Sequence, residues 1–424
     1  MLDLTLHVGT VAALLALGVV ARAVGGRWLY PPAVFALAWS FCIGSGLFLR
    51  FGALRFSSDA LLVFALGGVL AVAAGIATTI LLRRDVVGNV QDAAPAVATS
   101  VRVTIAFSGF VLLVLIPSFL GALRDATAML GIDDLATGAR TALSFNLDLV
   151  PRRFATAASL GTTVSYFAAA IYDGRPRDRV LLLLAIGAPL ALIVPTFSRT
   201  PLVTLTVGVL GILAARRRVP WTAAGISFVV VLAGAIAMGS ALGKGPDSTG
   251  TSGVAALVRN LGIYFVGGPL GFSEVMPVPG AVGEHGLGWR FISQPLQSLG
   301  FIARIPDNVL GEFRFELGNV YTMYFAYWLD FGWSGIILVA LVTGSATAAL
   351  YEGAIRGSLF CLAGLGIVYP SIINVATGDG LFATAMPWIL LAALTVAFQV
   401  GGQLVRWVRP MLDQITISRV ARAS

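Results

Sequence analysis

The sequence predicts an all-α fold, a single polytopic bundle of about eleven transmembrane helices spanning residues 1–424. The first observation behind this prediction is composition: 58% of the side chains are hydrophobic, only 11% are charged, and the mean hydropathy is +0.90. Soluble domains carry about 25% charged residues, so this chain lacks the polar surface that water requires. The second observation is that apolar stretches of membrane-spanning length recur from one end to the other. Soluble, disordered and disulfide-rich secreted classes are thereby excluded.

Apolar windows place the predicted helices along the whole chain. They cover 4–21, 28–49, 60–82, 103–121, 155–172, 180–197, 201–215, 221–242, 334–350, 357–374 and 381–400. Cys42 and Cys361 lie inside these segments, where cysteine packs as a small apolar residue rather than building a disulfide framework. Gly67, Ala71 and Gly75 recur at every fourth position, which favours close packing of the third segment against a neighbouring helix.

The distribution of arginine predicts the orientation in the membrane. With the carboxyl terminus in the cytoplasm, alternation of the segments puts sixteen of the 28 basic residues inside and only Arg50, Arg55 and Arg199 in short outer connections. The sixteen are Arg22, Arg27, Arg83, Arg84, Arg102, Arg175, Arg177, Arg179, Arg216, Arg217, Arg218, Arg356, Arg406, Arg409, Arg419 and Arg422. The amino terminus then faces out, and two long connections, 122–154 and 243–333, lie outside. Because the arginines serve as orientation signals, no nucleic-acid partner is expected.

The second long connection, 243–333, is the predicted active-site region. It opens with a Gly- and Ser-rich linker and continues with apolar residues at helical spacing, which predicts amphipathic helices lying on the membrane. Charged residues interleaved with aromatics follow, a mixture suited to binding a sugar chain beside an anionic group. A solvated surface with ordinary ion pairs is the alternative. The candidates from this stretch are Glu274, Glu284, His285, Arg290, Arg304, Arg314 and Glu316.

Two further motifs lie at the ends of predicted spans. SRTP holds Arg199 at the outer edge, where a guanidinium either clamps a phosphate or reaches out to lipid headgroups. NVYTMYFAYWLDFG, residues 319–332, combines Asn319 and Tyr321 with Asp330, an acid between apolar neighbours that is costly unless it has a partner. Ionisable groups are otherwise scarce inside the predicted spans, which argues against an ion-driven transporter.

On these motifs the chain resembles the Wzy-type O-antigen polymerases, which join oligosaccharide repeat units. Three features match in order: the SRTP junction, the large outer connection and the NVYT–DFG stretch where the chain re-enters the membrane. The resemblance implies a GT-C-like fold and a glycosyltransferase, independent of metals and cofactors, at the outer face of the bacterial inner membrane. Members of the wider group have a glycine eleven positions after an outer-loop arginine, a spacing that the outer-loop arginines here do not have.

The same resemblance implies the partners. Donor and acceptor are both expected to be undecaprenyl-pyrophosphate oligosaccharides, bound beside the lipid bilayer. A chain-length regulator protein and a flippase are the protein partners that such a polymerase implies. No metal ligands are expected among the site residues.

Roles for the candidate residues follow from the chemistry that the resemblance implies. Breaking a sugar–pyrophosphate bond leaves a multiply charged anion, which arginines placed beforehand stabilise without a metal. Arg199 is the expected pyrophosphate clamp, and the further substrate-binding residues are Arg290, Arg304, Arg314, Asn319 and Tyr321. The general base for the attacking hydroxyl is sought among Asp330, Glu274, His285, Glu284 and Glu316.

Three other functions remain open on the sequence. An O-antigen ligase shares the architecture and the donor but moves the finished chain to a lipid A core, and His285 fits the histidine of its outer loop. A polysaccharide or lipid transporter predicts polar groups throughout the bundle. A polyprenyl-phosphate-sugar transferase predicts acids in the first outer connection, where this chain has only Asp59.

Overall fold

A computed structural model gives the architecture of the chain. It describes residues 2–49, 55–84, 95–145, 149–196, 199–241, 262–276, 292–293, 296, 301, 322–376, 378, 380–382 and 385–403. Within these ranges the regular structure is helical, and no strand occurs. The helices are α1 (Leu2–Gly25), α2 (Pro31–Phe48), α3 (Ser58–Arg84), α4 (Pro95–Met129), α5 (Leu135–Phe145), α6 (Arg152–Ile171), α7 (Pro176–Ile193), α8 (Arg199–Ala215), α9 (Trp221–Ala241), α10 (Gly268–Val275), α11 (Phe325–Ile355), α12 (Leu359–Ile373) and α13 (Ala385–Gln403).

Each of the eleven predicted apolar segments falls on one of these helices. Of the helices in the described ranges, eight are long and apolar enough to cross a membrane: α1, α2, α3, α4, α6, α7, α11 and α13. Helices α8 and α12, and part of α9, are apolar but shorter. The architecture is consistent with a helical membrane protein, as the composition predicts, whereas the number of spans and their orientation stay predictions.

Two helices differ in extent from the apolar windows that predict them. Helix α4 runs from Pro95 to Met129, well beyond the predicted 103–121. Helix α11 begins at Phe325, before the predicted 334. A break divides this helix into two parts, and the apolar window covers only the second part. The predicted outer connection 122–154 includes the amphipathic helix α5, which packs against the end of α4. Hydropathy finds only the membrane-length apolar part of a helix, so such extensions are missed.

Among the described helices, α3 and α11 pack together most extensively, and small residues make the close approach feasible. Gly344 lies so close to the Ala71 backbone that a Cβ on it would overlap the Ala71 carbonyl oxygen. Gly75 faces both the Gly344 carbonyl and the ring of Pro32, and Gly67 leaves room for the Tyr324 hydroxyl. The predicted packing role of Gly67, Ala71 and Gly75 is therefore confirmed.

Arginine-rich turns gather at one end of the bundle, here called the basic end. It comprises the turns α1–α2, α6–α7, α8–α9 and α11–α12 and the carboxyl end of α3. Guanidinium groups connect these turns: Arg83 Nη1 donates to the Val24 carbonyl at 2.8 Å, Arg27 Nη1 to Ala215 at 2.9 Å, and Arg216 Nη1 to Tyr172 at 2.7 Å. Positive charge is therefore concentrated in the turns at this end of the bundle.

Ion pairs with buried carboxylates strengthen the basic end. The side chain of Glu352 on α11 is 4% exposed and lies 2.8 Å from Arg83 of α3. Asp178 at the start of α7 is equally buried and accepts two hydrogen bonds from Arg102 of α4, at 3.0 and 3.4 Å. Removal of one partner from such a pair leaves an uncompensated charge, so each pair fixes the relative position of two helices.

The opposite end, called the aromatic end, holds the start of α3, the helix α10 and residues 322–331. Helix α10 is anchored to α3 because the hydroxyls of Ser273 and Ser57 are hydrogen-bonded at 2.9 Å. The Met323 amide donates to the Val375 carbonyl at 2.9 Å, which joins the approach to α11 with the end of α12. These contacts bring together segments that are far apart in the sequence.

Candidate functional site at the aromatic end

The break in α11 positions the candidate acid of the NVYT–DFG motif. Gly332 has φ 57° and ψ −136°, a backbone conformation that glycine alone adopts without strain. Gly335 is needed as well, since a Cβ there would overlap the Tyr327 carbonyl. The Ser334 hydroxyl donates to the Phe331 carbonyl at 2.7 Å and satisfies one of the groups that the break exposes. Residues 325–331 therefore form a short helix of their own ahead of the long one.

Asp330 lies at the carboxyl end of this short helix and is only 2% exposed. That position is unfavourable for an acid because the helix dipole is negative there and burial removes water. Asp330 takes part in a hydrogen-bonding or electrostatic interaction within the structure. A charge kept at such a position despite its cost is a candidate for chemistry rather than for stability.

A stack of aromatic rings packs the short helix against α2 and α3. The Tyr324 and Trp39 rings are parallel, at an interplanar angle of 1° and with centroids 5.3 Å apart. The Phe64 ring lies 4.7 Å from Trp39 on the same stack. Offset stacked rings of this kind stabilise beyond their area burial, so the start of α11 is held rigidly.

A second set of rings joins α10 to the same short helix. Trp328 meets Phe272 of α10 edge to face at 6.2 Å and Trp333 at 5.3 Å. Glu274, two residues after Phe272, is exposed on α10. The structure therefore places Glu274 and Asp330 on two elements that touch, one acid at the surface and one buried.

Three polar atoms of these aromatic rings have no ordinary hydrogen-bond partner among the described residues. Within the part of the chain that the structure describes, the buried Trp328 Nε1 has no hydrogen-bond partner. The indole N–H of Trp39 and the hydroxyl of Tyr324 lie close to each other. Among the described residues, neither has another hydrogen-bond partner. A buried donor without an acceptor costs about 1–3 kcal/mol, so Trp328 Nε1 is a candidate donor to a ligand oxygen.

Arg199 begins α8, and its helix starts at the aromatic end. The other end of α8 is fixed at the basic end, where the Ala215 carbonyl accepts from Arg27. Arg199 therefore lies at the same end of the bundle as Asp330 and Glu274. The outward orientation of that end, which the sequence predicts, stays a prediction. The side chain of Arg199 falls outside the described residues, so its role as a pyrophosphate clamp stays a prediction.

The remaining sequence candidates lie outside the described residues altogether. They are His285, Arg290, Arg304, Arg314, Asn319 and Tyr321, together with Glu284 and Glu316. The amphipathic helix predicted after the linker lies mostly there as well, and only its end, from residue 262, is described. Their predicted roles stay predictions.

Sequence reasoning missed the rings that hold the site together. Trp39, Phe64 and Phe272 look like ordinary apolar residues in their own segments, and only the fold brings them to Tyr324 and Trp328. One available signal was Gly67, whose missing side chain makes room for the Tyr324 hydroxyl. A gap of this kind in a packed helix face indicates a large partner but does not identify it.

Within the described ranges, no group of three His, Cys, Asp or Glu residues is arranged to hold a metal ion. Comparison with protein-family models, curated proteins and solved structures finds no match for this chain. By its described fold, the protein is all-helical and consistent with a membrane location. It has a buried acid at a helix break.

Proposed function

We propose that the protein is a membrane glycosyltransferase that polymerises undecaprenyl-pyrophosphate-linked oligosaccharide repeat units into O-antigen or a similar surface polysaccharide. The proposal takes the motif order from the sequence and adds one structural observation: Asp330 of the DFG stretch is buried at a helix break, at the end of the bundle where the Arg199 helix begins. A GT-C-like bundle in the bacterial inner membrane is part of the same proposal. Its aromatic end faces outward and its basic end faces the cytoplasm, in accordance with the excess of arginine there.

The reaction joins the sugar chains of two lipid-linked substrates. A hydroxyl of the acceptor glycan attacks the anomeric carbon of the donor, and the bond between that carbon and the pyrophosphate oxygen breaks. The hydroxyl proton passes to a carboxylate, and undecaprenyl pyrophosphate leaves with the electron pair. Asp330 serves as this base, and Glu274 on the adjoining helix is the second candidate.

The leaving group sets the second requirement, a cation at the departing pyrophosphate. Arg199 meets it with a planar guanidinium that can donate two parallel hydrogen bonds. The Trp328 N–H supplies a further donor for a substrate oxygen, since it is buried without an acceptor among the described residues. Preorganised donors of this kind stabilise developing negative charge without reorganisation during the reaction.

The test is reconstitution of the purified protein in liposomes with its undecaprenyl-pyrophosphate repeat unit, with products resolved on a gel. The wild type is expected to give a ladder spaced by one repeat. Asp330→Asn keeps the shape but removes the base, so the rate should fall by about 10²–10⁴-fold. Asp133→Asn, an exposed acid in the turn before α5, is the matched control and should retain the wild-type ladder.

Arg199 is tested in the same assay with two variants. Arg199→Ala should abolish the ladder in a protein that still folds, and Arg199→Lys, which keeps the charge but loses the fork, should fall well below the wild type. A wild-type ladder from Arg199→Ala would remove Arg199 from the site, whereas a wild-type ladder from Arg199→Lys alone would show that the charge suffices without the fork.

Other outcomes point to the other functions. If Glu274→Gln abolishes the ladder and Asp330→Asn does not, the roles of the two acids are exchanged. Transfer of a finished chain to added lipid A core, without a ladder, identifies a ligase. Movement of the lipid-linked substrate across the bilayer without any new bond identifies a transporter, and the glycosyltransferase proposal then fails.

A further inference from the structure

A cavity at the basic end is lined by three arginines, far from the proposed reaction site. It lies between the α1–α2 turn and the α8–α9 turn and has a volume of about 370 Å³. Its charged and aromatic lining consists of Arg22, Arg27, Trp28 and Arg217. Since a water molecule occupies about 30 Å³ in the liquid, the cavity holds the equivalent of roughly a dozen waters. It is therefore large enough for a phosphate ester.

Among the described residues, the arginines of this cavity have no acidic partners, unlike other arginines at the basic end. Asp173 pairs with Arg216 and Arg218, Asp178 with Arg102, and Glu352 with Arg83. Among the described residues, the cavity lining contains no carboxylate. Within the same ranges, none of its three arginines forms a salt bridge with an acidic side chain. Orientation in a membrane accounts for arginines at this end, but not for three around a single cavity that have no acidic partner among the described residues.

Local structure fixes the two walls of the cavity. The Arg22 guanidinium lies 4.6 Å from the centre of the Trp28 ring, a cation–π contact. Arg27 Nη1 donates to the Ala215 carbonyl at 2.9 Å and so joins the α1–α2 turn to the end of α8. Both contacts hold arginines in place without removing their positive charge.

Arg217 occupies a backbone position that normally belongs to glycine. Its φ is 58°, and the Arg218 amide donates to the Leu213 carbonyl at 2.8 Å while the Arg217 amide donates to Ala214 at 3.0 Å. This is the hydrogen-bond pattern of a helix end closed by a left-handed residue. A side chain in that conformation is energetically unfavourable, so arginine at this position costs conformational free energy that glycine would not.

We infer that this cavity binds the phosphate group of a phosphate ester, either the headgroup of an anionic lipid from the adjoining leaflet or a soluble phosphate. Planar guanidinium groups match phosphate oxygens with paired hydrogen bonds, and three of them supply the charge that a phosphodiester or monoester neutralises. Basic pockets among the cytoplasmic turns of helices are suited to acidic headgroups. The inference is independent of the glycosyltransferase proposal, because it concerns the opposite end of the bundle.

The experiment measures binding to the detergent-solubilised full chain by isothermal titration. Dioctanoyl phosphatidylglycerol is titrated in one arm and inorganic phosphate in the other, at low ionic strength. One molecule per chain should bind in at least one arm. The double variant Arg22→Gln/Arg217→Gly should bind at least about tenfold more weakly, since it removes two of the three guanidinium groups that form charge-assisted hydrogen bonds with the phosphate.

Two controls separate loss of the cavity from loss of charge or fold. The double variant Arg177→Gln/Arg179→Gln removes the same charge from exposed positions at the same end and should bind as the wild type does. Glycine is the preferred residue at position 217, so Arg217→Gly should elute as the wild type does in size-exclusion chromatography.

The arms also identify the source of the phosphate. Binding of phosphatidylglycerol that inorganic phosphate does not displace indicates a lipid headgroup, whereas binding of inorganic phosphate alone indicates a soluble ligand. The inference is overturned if neither probe binds at one per chain, or if the two double variants lose affinity equally. Neither result bears on the ladder assay, so the two proposals fail separately.

Discussion

Gly344 shows how strongly single residues determine the packing of this bundle. A Cβ at this position would overlap the Ala71 carbonyl, and a backbone group of a neighbouring helix cannot move aside as a flexible side chain can. Gly211, by contrast, faces the ring of Tyr369, whereas Gly208 also meets a backbone carbonyl, that of Gly366. A backbone contact of this kind is less adjustable than a contact with a side chain.

Gly344→Ala is predicted to destabilise the protein by about 1–3 kcal/mol, the usual cost of overpacking, because α3 and α11 must separate. The matched control is Gly187→Ala on α7, where a new Cβ meets no atom within 4 Å. Thermal unfolding of both variants in one detergent measures the difference. Equal midpoints would show that the two helices adjust to the added methyl.

Individual residues also show what the sequence could reveal about the site. The sequence alone identified Asp330 as a candidate site residue, because an acid among apolar residues is energetically costly wherever it lies. Its place at a helix end was not, since it depends on the φ of Gly332. Nor could the stack of Trp39 on Tyr324 be predicted, because pairwise contacts between distant segments leave no periodicity in either one.

At the scale of elements, α11 joins two different structures in one helix. Its long part pairs with α3 and ends in the Arg83–Glu352 ion pair, while residues 325–331 belong to the aromatic end. Hydropathy predicts only the long part. The short helix has the composition of a membrane-interface segment, and its boundary is set by Gly332, a residue that hydropathy does not register.

Gly332→Ala is predicted to destabilise the protein by about 1–3 kcal/mol, because alanine does not tolerate the observed φ and ψ. Polymer formation should fall further than stability does, since straightening the break displaces Asp330. The measurement is the unfolding midpoint together with the ladder assay at a temperature where the variant is folded. Ser334→Ala, which removes only one exposed hydrogen bond, should change neither by much.

At the scale of the whole molecule, most of the described arginines lie at the basic end, opposite the stacked rings of the aromatic end. The orientation of these two ends in the membrane stays a prediction. The count of arginines between apolar segments predicted that they gather at one end. What it could not predict is how the arginines divide between ion pairs, carbonyl contacts and the cavity. That division depends on which turns become neighbours, as Arg27 and Ala215 do.

Cysteine labelling tests the proposed orientation of the bundle. In a background with Cys42→Ala and Cys361→Ala, Asp133→Cys in the turn before α5 should react with an impermeant maleimide in intact spheroplasts. Arg177→Cys, at the basic end, should react only after permeabilisation. Both positions are exposed, so access alone decides the labelling. The reverse pattern would place the basic end outside.

The backbone contact between α3 and α11 also limits which amino-acid substitutions the protein can tolerate. Where side chains pack against each other, one substitution is often compensated by another of complementary volume. Gly344 faces a carbonyl group instead, and every residue at position 71 has the same carbonyl. No second mutation at that position can restore the space that a larger residue at 344 takes. Sequence drift in this protein is therefore expected to leave Gly344 unchanged while the outward-facing residues of the same helices vary.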